Sequence, residues 1–358
     1  MQTKQTDFYL GANTPEGFVS RYDQIAQDDT LERVYVIKGG PGTGKSSMMK
    51  MTAEVLSENG ADVERIHCSS DPDSLDAVIC REKKIAMLDG TPPHVMEPQY
   101  PGAFETIVDL YPCWDQEGLM ENLPEIKEQF GQYRACHRKA CAYLSAAAAL
   151  NRENRKSVQN GFAYEKAVAY AQNLARRLFG KTGGDGANES VRFLSAVTPQ
   201  GVKTYLSTVE TLCDRVYLLQ DDTGLGADTV LRVLRKRALE QNYGIITCYC
   251  VLAPYDQMEH LFIPQLRLGF LTSNKFHPIS FSKAVKRVKA SRFISAEKST
   301  REYRSFNKRA AKEFVAQAVN CMQEAKQYHD RLEQYYIRHV DYEKLREKNR
   351  EVLEEILK

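Results

Sequence analysis

The sequence lacks the features that mark membrane, secreted and nucleic-acid-binding chains. No apolar run is long enough to span a bilayer. Met1 to Asp7 is polar and holds no apolar leader, so export is not expected. Lys and Arg number 49 against 47 Asp and Glu, and a net charge of +2 supplies no basic field for a polyanion. This argues against nucleic acid as a partner. The nine cysteines are odd in number and scattered. Without a leader they read as reduced thiols of a cytoplasmic chain, mostly filling cores. Cys248-x-Cys250 is the one close pair, and its spacing puts both on one face of a strand. No second ligand pair follows at zinc-site spacing, so no metal is assigned there. What remains is ordinary globular composition, 42% hydrophobic and 27% charged, over 358 residues, a length that suits two domains.

Against this background one stretch stands out. Gly39-Gly40-Pro41-Gly42-Thr43-Gly44-Lys45-Ser46 follows the apolar run Val34–Ile37 and precedes a helix-like segment that opens with Ser47. It fits the G-x-x-x-x-G-K-[ST] pattern of a phosphate-binding loop. Glycines let backbone amides turn inward and approach phosphate oxygens. The following helix adds unpaired amides and the positive end of its dipole. Lys45 supplies a point charge for β- and γ-phosphates, and Ser46 a hydroxyl for Mg²⁺. The run Ile85–Leu88 ends in Asp89, which makes Asp89 the candidate Mg²⁺ partner on a neighbouring strand. The next residue is Gly90 rather than the glutamate that polarises water in many ATPases, which predicts slow hydrolysis.

The chain is also written twice. Leu10-Gly-Ala-Asn-Thr-Pro-Glu-Gly17 corresponds to Leu194-Ser-Ala-Val-Thr-Pro-Gln-Gly201. Val34–Ile37 corresponds to Val216–Leu219 at an offset of 182 (216 − 34). Cys68 faces Cys250, Ile85–Leu88 faces Leu268–Leu271, and His94 faces His277. The repeat predicts two α/β domains, 1–182 and 190–358, joined by the glycine-rich stretch 180–186. Each half is expected to hold a mostly parallel sheet with flanking helices, then a helical region, which in the second half is a hairpin broken near His339–Asp341. The segment Phe18–Ala26 reads as a helix, and another is expected from about Leu75. At the phosphate loop the copies diverge, because Lys45 and Ser46 become Ala227 and Asp228. An aspartate there repels phosphate.

Two further candidates leave strand ends. Asp71, in His67-Cys-Ser-Ser-Asp-Pro-Asp-Ser-Leu-Asp76, reads as a general base, since its counterpart is Ala253. His94 reads either as a γ-phosphate contact or as a loop anchor, the latter favoured by the retained His277. Arg232, Arg235 and Arg237 are candidate arginine fingers. The helical regions carry tyrosines; Leu332, Tyr335, Tyr336 and His339 recur at helical spacing as an apolar stripe, and a protein partner on these arms is a lesser alternative.

These motifs, with Leu88-Asp-Gly-Thr-Pro-Pro-His-Val-Met-Glu-Pro-Gln-Tyr-Pro-Gly102 and the repeat, resemble the tandem P-loop ATPase and nucleotide-kinase-related proteins of Firmicute-type bacteria. The resemblance covers nearly the full length. It implies two P-loop NTPase-like domains, with ATP and Mg²⁺ as ligands. Slow Mg-ATP hydrolysis coupled to movement between halves, a small-molecule or nucleotide kinase, and a nucleotide-gated scaffold all stay open.

Overall fold

The computed structural model describes residues 3–180, 183, 186–274, 277–280, 285–295 and 300–358. Much of the 180–186 linker read from the sequence lies outside these residues. The first half runs β1 (Gln5–Phe8), β2 (Gly11–Thr14), β3 (Gly17–Ser20), α1 (Asp23–Ala26), β4 (Arg33–Lys38), α2 (Lys45–Glu58), β5 (Val63–His67), β6 (Leu75–Cys80), β7 (Ile85–Asp89) and β8 (Glu105–Asp109), then α3 (Gln116–Glu121), α4 (Leu123–Lys156) and α5 (Tyr164–Leu178). The second runs β9 (Glu189–Arg192), β10 (Ser195–Thr198), β11 (Gly201–Thr204), α6 (Leu206–Leu212), β12 (Arg215–Gln220), α7 (Leu225–Glu240), β13 (Ile245–Cys250), β14 (Ala253–Ile263), β15 (Leu268–Ser273) and β16 (Val285–Lys289), then α8 (Arg301–Ile337) and α9 (Tyr342–Leu357). No helix among the described residues is long and apolar enough to cross a membrane.

The two six-stranded sheets have the same order, β1-β5-β6-β7-β4-β8 and β9-β13-β14-β15-β12-β16. Each is mixed, because β6 and β14 run antiparallel to both neighbours. This corrects two expectations. The sheet is less parallel than the strand–helix alternation suggested, and the segment from Leu75 is a strand. Leu75-Asp-Ala-Val-Ile-Cys80 is buried at all six positions. Five apolar residues and the buried Asp76 in a run of six suit a central strand better than a helix, which needs a longer run and one polar face. Phe18–Ala26 also divides: Gly17 turns with φ 95°, Phe18 and Val19 pair back along β2, and only Asp23–Ala26 is helical.

The copies meet across a contact of a homodimer type. Tyr9 and Phe193, equivalent in the repeat, exchange both backbone hydrogen bonds at 2.9 Å. Such reciprocity is what a two-fold interface produces, here within one chain. Beside it the Asp7 amide donates to Thr208 Oγ1 of α6, while the Val191 amide donates to the Gln24 side chain of α1. Glu64 lies buried between Arg192 of the other half and Arg81. Burial alone would raise its pKa, but the two guanidiniums hold it down to about 2.

The arms are exchanged. α4 and α8 lie antiparallel, with Ala140, Leu144 and Ala147 packed in one core with Ala311, Val315, Ala318 and Met322. Small side chains at this seam let the helices approach closely. Beyond it, Ala167, Ala171 and Leu174 of α5 enter the core of the second sheet with Leu231, Leu234 and Phe270. Leu345, Val352 and Ile356 of α9 enter the core of the first with Tyr35, Ile37 and Leu56. The Asp341 amide donates to Cys113 O at 2.7 Å, and the Ala163 amide donates to Phe293 O at 2.8 Å, latching each arm to the opposite half. α8 and α9 therefore do not fold back as the expected hairpin. The chain breaks between them at the right place, but each helix finds its apolar partner elsewhere.

Interlocked cores predict one cooperative unfolding transition for the whole chain, tested by calorimetry against the van't Hoff enthalpy. Leu174→Ala, in an arm, is expected to cost about 2–5 kcal/mol and to lower the single transition without splitting it. Two separate transitions would contradict the interlock.

Candidate functional site

β4 feeds directly into the glycine loop and α2. Gly42 and Gly44 sit at φ 68° and 77°, in the left-handed region where a side chain is strained. A Cβ on Gly42 would lie 2.9 Å from Ile337 Cγ1. β7 pairs parallel with β4, and Ile37 is in register with Asp89. That register brings the Asp89 carboxylate to 3.6 Å from Lys45 Nζ. The Lys45 ammonium also donates to Gly39 O at 3.0 Å and Gly40 O at 2.7 Å. Lys45 is thus folded onto its own loop. Thr43 Oγ1 donates to Gly40 O, and Ser46 Oγ accepts the Leu75 amide at 2.9 Å. The structure therefore gathers Gly39–Ser46 and Asp89 at one end of the sheet, with Ser47 in the first turn of α2.

The other candidates have fixed partners. Asp71 accepts from Ser74 Oγ at 2.8 Å and lies 3.6 Å from Lys326 of α8, a turn-forming role with a cation from the opposite half. His94 is only 6% exposed, packed on Phe18 and Tyr22. Its Nε2 is 3.1 Å from Asp76 Oδ2. Burial pulls the imidazole pKa down, but Asp76 outweighs it and holds His94 above its ordinary value. That is the geometry of an anchor. Arg232, Arg235 and Arg237 pair with Asp228, Glu189 and Glu240 of their own half. None is placed as a finger on the first-half loop.

Sequence reasoning missed the arm that covers the loop. Gly40 faces the Trp114 and Tyr336 rings, Gly42 faces Glu333 and Ile337, and Gly44 faces Leu345. Trp114 comes from the first half itself; only the exchange of α8 and α9 brings Glu333, Tyr336, Ile337 and Leu345 there, and no local signal reports it. Asp76 was legible. The repeat offset grows from 182 (250 − 68) to 183 (268 − 85), and at 183 Asp76 falls on Glu259, a retained acid.

The second-half loop explains its own divergence. Asp221 stands where the first half has Gly39. Its carboxylate accepts the Thr223 amide and hydroxyl at 2.8 Å, and the Ala227 amide in the first turn of α7 at 2.8 Å. An internal anion thus satisfies the helix N-terminus that would otherwise attract phosphate. Asp228 is 3% exposed and is held by Arg155 of α4 at 2.6 Å, by Arg232 and by the Met258 amide. A cavity of about 650 Å³ lies above this loop, lined by residues that include Thr223, Gly224, Cys250, Glu259 and His277.

No family model, curated protein or solved structure matches the chain. The reading of the site therefore rests on its own geometry.

The His94–Asp76 pair predicts a pH signature. Because the folded-state pKa of His94 is raised, the pair stabilises fully below the unfolded value of about 6.5 and loses that contribution as pH climbs through the folded value. In thermal melts between pH 5.5 and 8.5, Asp76→Asn is expected to flatten this fall in stability. A wild-type slope retained in Asp76→Asn would show that another group titrates.

Proposed function

We propose that the first half binds Mg-ATP at Gly39–Ser46 and hydrolyses it slowly, with the second half as a degenerate partner that takes no nucleotide and responds to it. The observation that carries this reading is the loop itself. Left-handed glycines, the N-terminus of α2, Lys45 and the Asp89 carboxylate converge at the end of one pair of parallel strands. This donor set fits a nucleoside triphosphate and its Mg²⁺. Loop amides and Lys45 would hold phosphate oxygens, and Ser46 and Asp89 would serve the metal side. Bound Mg²⁺ would neutralise charge on the β- and γ-phosphates.

Slow turnover follows from the surroundings. Gly90 follows Asp89, so no carboxylate is supplied there to orient water. Asp76 is committed to His94, and Asp71 to Ser74 and Lys326. The kinase alternative needs Asp71 as its base, and these contacts favour the hydrolase.

Coupling has a physical route. To meet phosphate, Lys45 must release the carbonyls of Gly39 and Gly40. Gly40, Gly42 and Gly44 lie against the α8–α9 junction, so rearrangement of the loop bears on an arm of the opposite half. In the second half, Asp221 and Asp228 occupy the polar positions with fixed negative charge, which opposes a second triphosphate.

The test is nucleotide-dependent stabilisation. ATP with Mg²⁺ at about 100 times its dissociation constant is expected to add roughly 2.7 kcal/mol to wild-type stability. Lys45→Ala is expected to lose most of this gain. Equal stabilisation of Lys45→Ala and wild type would remove the loop as the site. Phosphate release is expected without any acceptor; ADP formed only when nucleosides or phosphorylatable metabolites are added would favour the kinase.

A further inference from the structure

The small net charge conceals a segregation. Residues 286–312 hold ten Lys or Arg against two Asp or Glu, a charge of +8, so the rest of the chain carries −6 (2 − 8). β16 contributes Lys286, Arg287 and Lys289, all exposed, on an edge strand of the second sheet. The start of α8 contributes Arg301, Arg304, Lys308, Arg309 and Lys312.

The fold gathers many of these charges along a groove. The cavity of about 650 Å³ over the second-half loop is lined by Arg152, Lys308, Arg309 and Lys312, among others. A second cleft, of about 560 Å³, is lined by Lys289, Arg304 and Lys308. Asp222, Thr223, Asn274 and Lys308 border both, so the two are continuous. Lys308 pairs with Asp222 at 2.9 Å. Arg152, Lys289, Arg304, Arg309 and Lys312 form no ion pair among the described residues. The Arg304 and Arg309 guanidiniums donate to the hydroxyls of Thr300 and Ser305, which leaves their charge unneutralised. The acids of the groove come from other elements. Asp221 caps α7, and Glu259 is 5% exposed beside His260 and His277. Glu16 and Asp256 are exposed on the β2–β3 turn and on β14.

This charge pattern works against folding. Arg301 and Arg304 lie in the opening turn of α8, at the positive end of the helix dipole. Arg304, Lys308 and Lys312 follow one another at four-residue steps, where like charges repel. The first half avoids the pattern. In the arms the repeat offset is 178 (342 − 164), which superposes the buried pairs Ala140 and Ala318, and Leu144 and Met322. At that offset Arg304, Lys308 and Arg309 fall on Ile126, Phe130 and Gly131, and Arg152 falls on Asp330. Lys312 alone has a basic counterpart there, Arg134. By sheet register Lys289 matches Asp109.

A groove of uncompensated cations fits a polyanion, and a phosphodiester strand offers regularly spaced charges for it to track. Tyr303 and Phe306 are 49% and 60% exposed and precede Arg309 at three-residue steps, so they form a row beside the groove. Exposed aromatic rings there give unpaired bases a stacking surface, which favours a single strand over a duplex or a bilayer. We propose that the second half binds single-stranded nucleic acid along the groove between β16 and the α4 and α8 arms.

The test is fluorescence anisotropy of labelled oligo(dT) and oligo(U), each of about 20 nucleotides, with the full-length chain and without ATP. Wild type is expected to bind with a log–log salt slope of about −3.5, about −0.7 for each of the five cations that lack an ion pair. Tighter binding of oligo(U) identifies RNA as the ligand, tighter binding of oligo(dT) identifies DNA, and equal affinities identify the shared phosphodiester backbone. Arg309→Gln combined with Lys312→Gln, two exposed positions, is expected to weaken binding roughly tenfold and to flatten the slope by about 1.4, with an unchanged circular dichroism spectrum. Phe306→Ala is expected to weaken binding several-fold with the slope unchanged, which charge alone would not produce. Lys127→Gln combined with Lys139→Gln, on α4, and Lys45→Ala are expected to bind as wild type does, so the result is separate from the nucleotide reading. No binding at about 50 mM salt overturns the proposal. So does equal or tighter binding of duplex DNA or of phosphatidylserine vesicles, or binding unchanged by the Arg309→Gln and Lys312→Gln pair.

Discussion

Burial of each half's last helix in the opposite half is the constraint on which the rest depends. α5 is amphipathic, and its Ala167, Ala171 and Leu174 face finds cover only on the second sheet. α9 does the reverse with Leu345, Val352 and Ile356. Neither sheet has a complete core without an arm from the other copy. α4 and α8 have to cross, and their small-residue seam is where they do so. The reciprocal Tyr9–Phe193 hydrogen bonds then fix the axis about which both exchanges occur.

The exchange sets the character of both sites. Tyr336 and Ile337 lie on the first-half glycines because α8 ends there and α9 begins there. Arg155 reaches Asp228 because α4 ends at the equivalent place. The two ends have opposite electrostatics. On one side a lysine loop meets an arm carrying Glu333; on the other a doubly acidic loop meets an arm carrying Arg155. Loop and arm differ together between the halves, as each loop packs on the arm of the other copy.

How much of this was legible depends on the range of the interaction. Gly39–Ser46 and Asp89 were readable, since a strand, a glycine turn and a helix N-terminus are local constraints on residue type. The repeat was readable from ordered matches. β6 was misread as a helix because a run of only six residues, five of them apolar, is too short for periodicity to separate strand from helix. Asp71 was read as a base from its Ala253 counterpart because exposure and partners are not written in residue type; in the fold it closes a turn beside Lys326, while Asp76 is buried against His94. The cluster of Glu259, His260 and His277 was not legible, because its members come from β14 and from beyond β15, at no zinc-motif spacing.

The sequence alone determined the α/β class, the duplicated plan and the glycine–lysine loop. Each follows from local periodicity, turn chemistry or self-similarity. Only the tertiary structure decided that the arms are exchanged, that Arg155 of one half reaches Asp228 of the other, and that the α8–α9 junction covers the first-half glycines. Those outcomes depend on which apolar faces meet across the two-fold contact, and that choice is made by long-range burial.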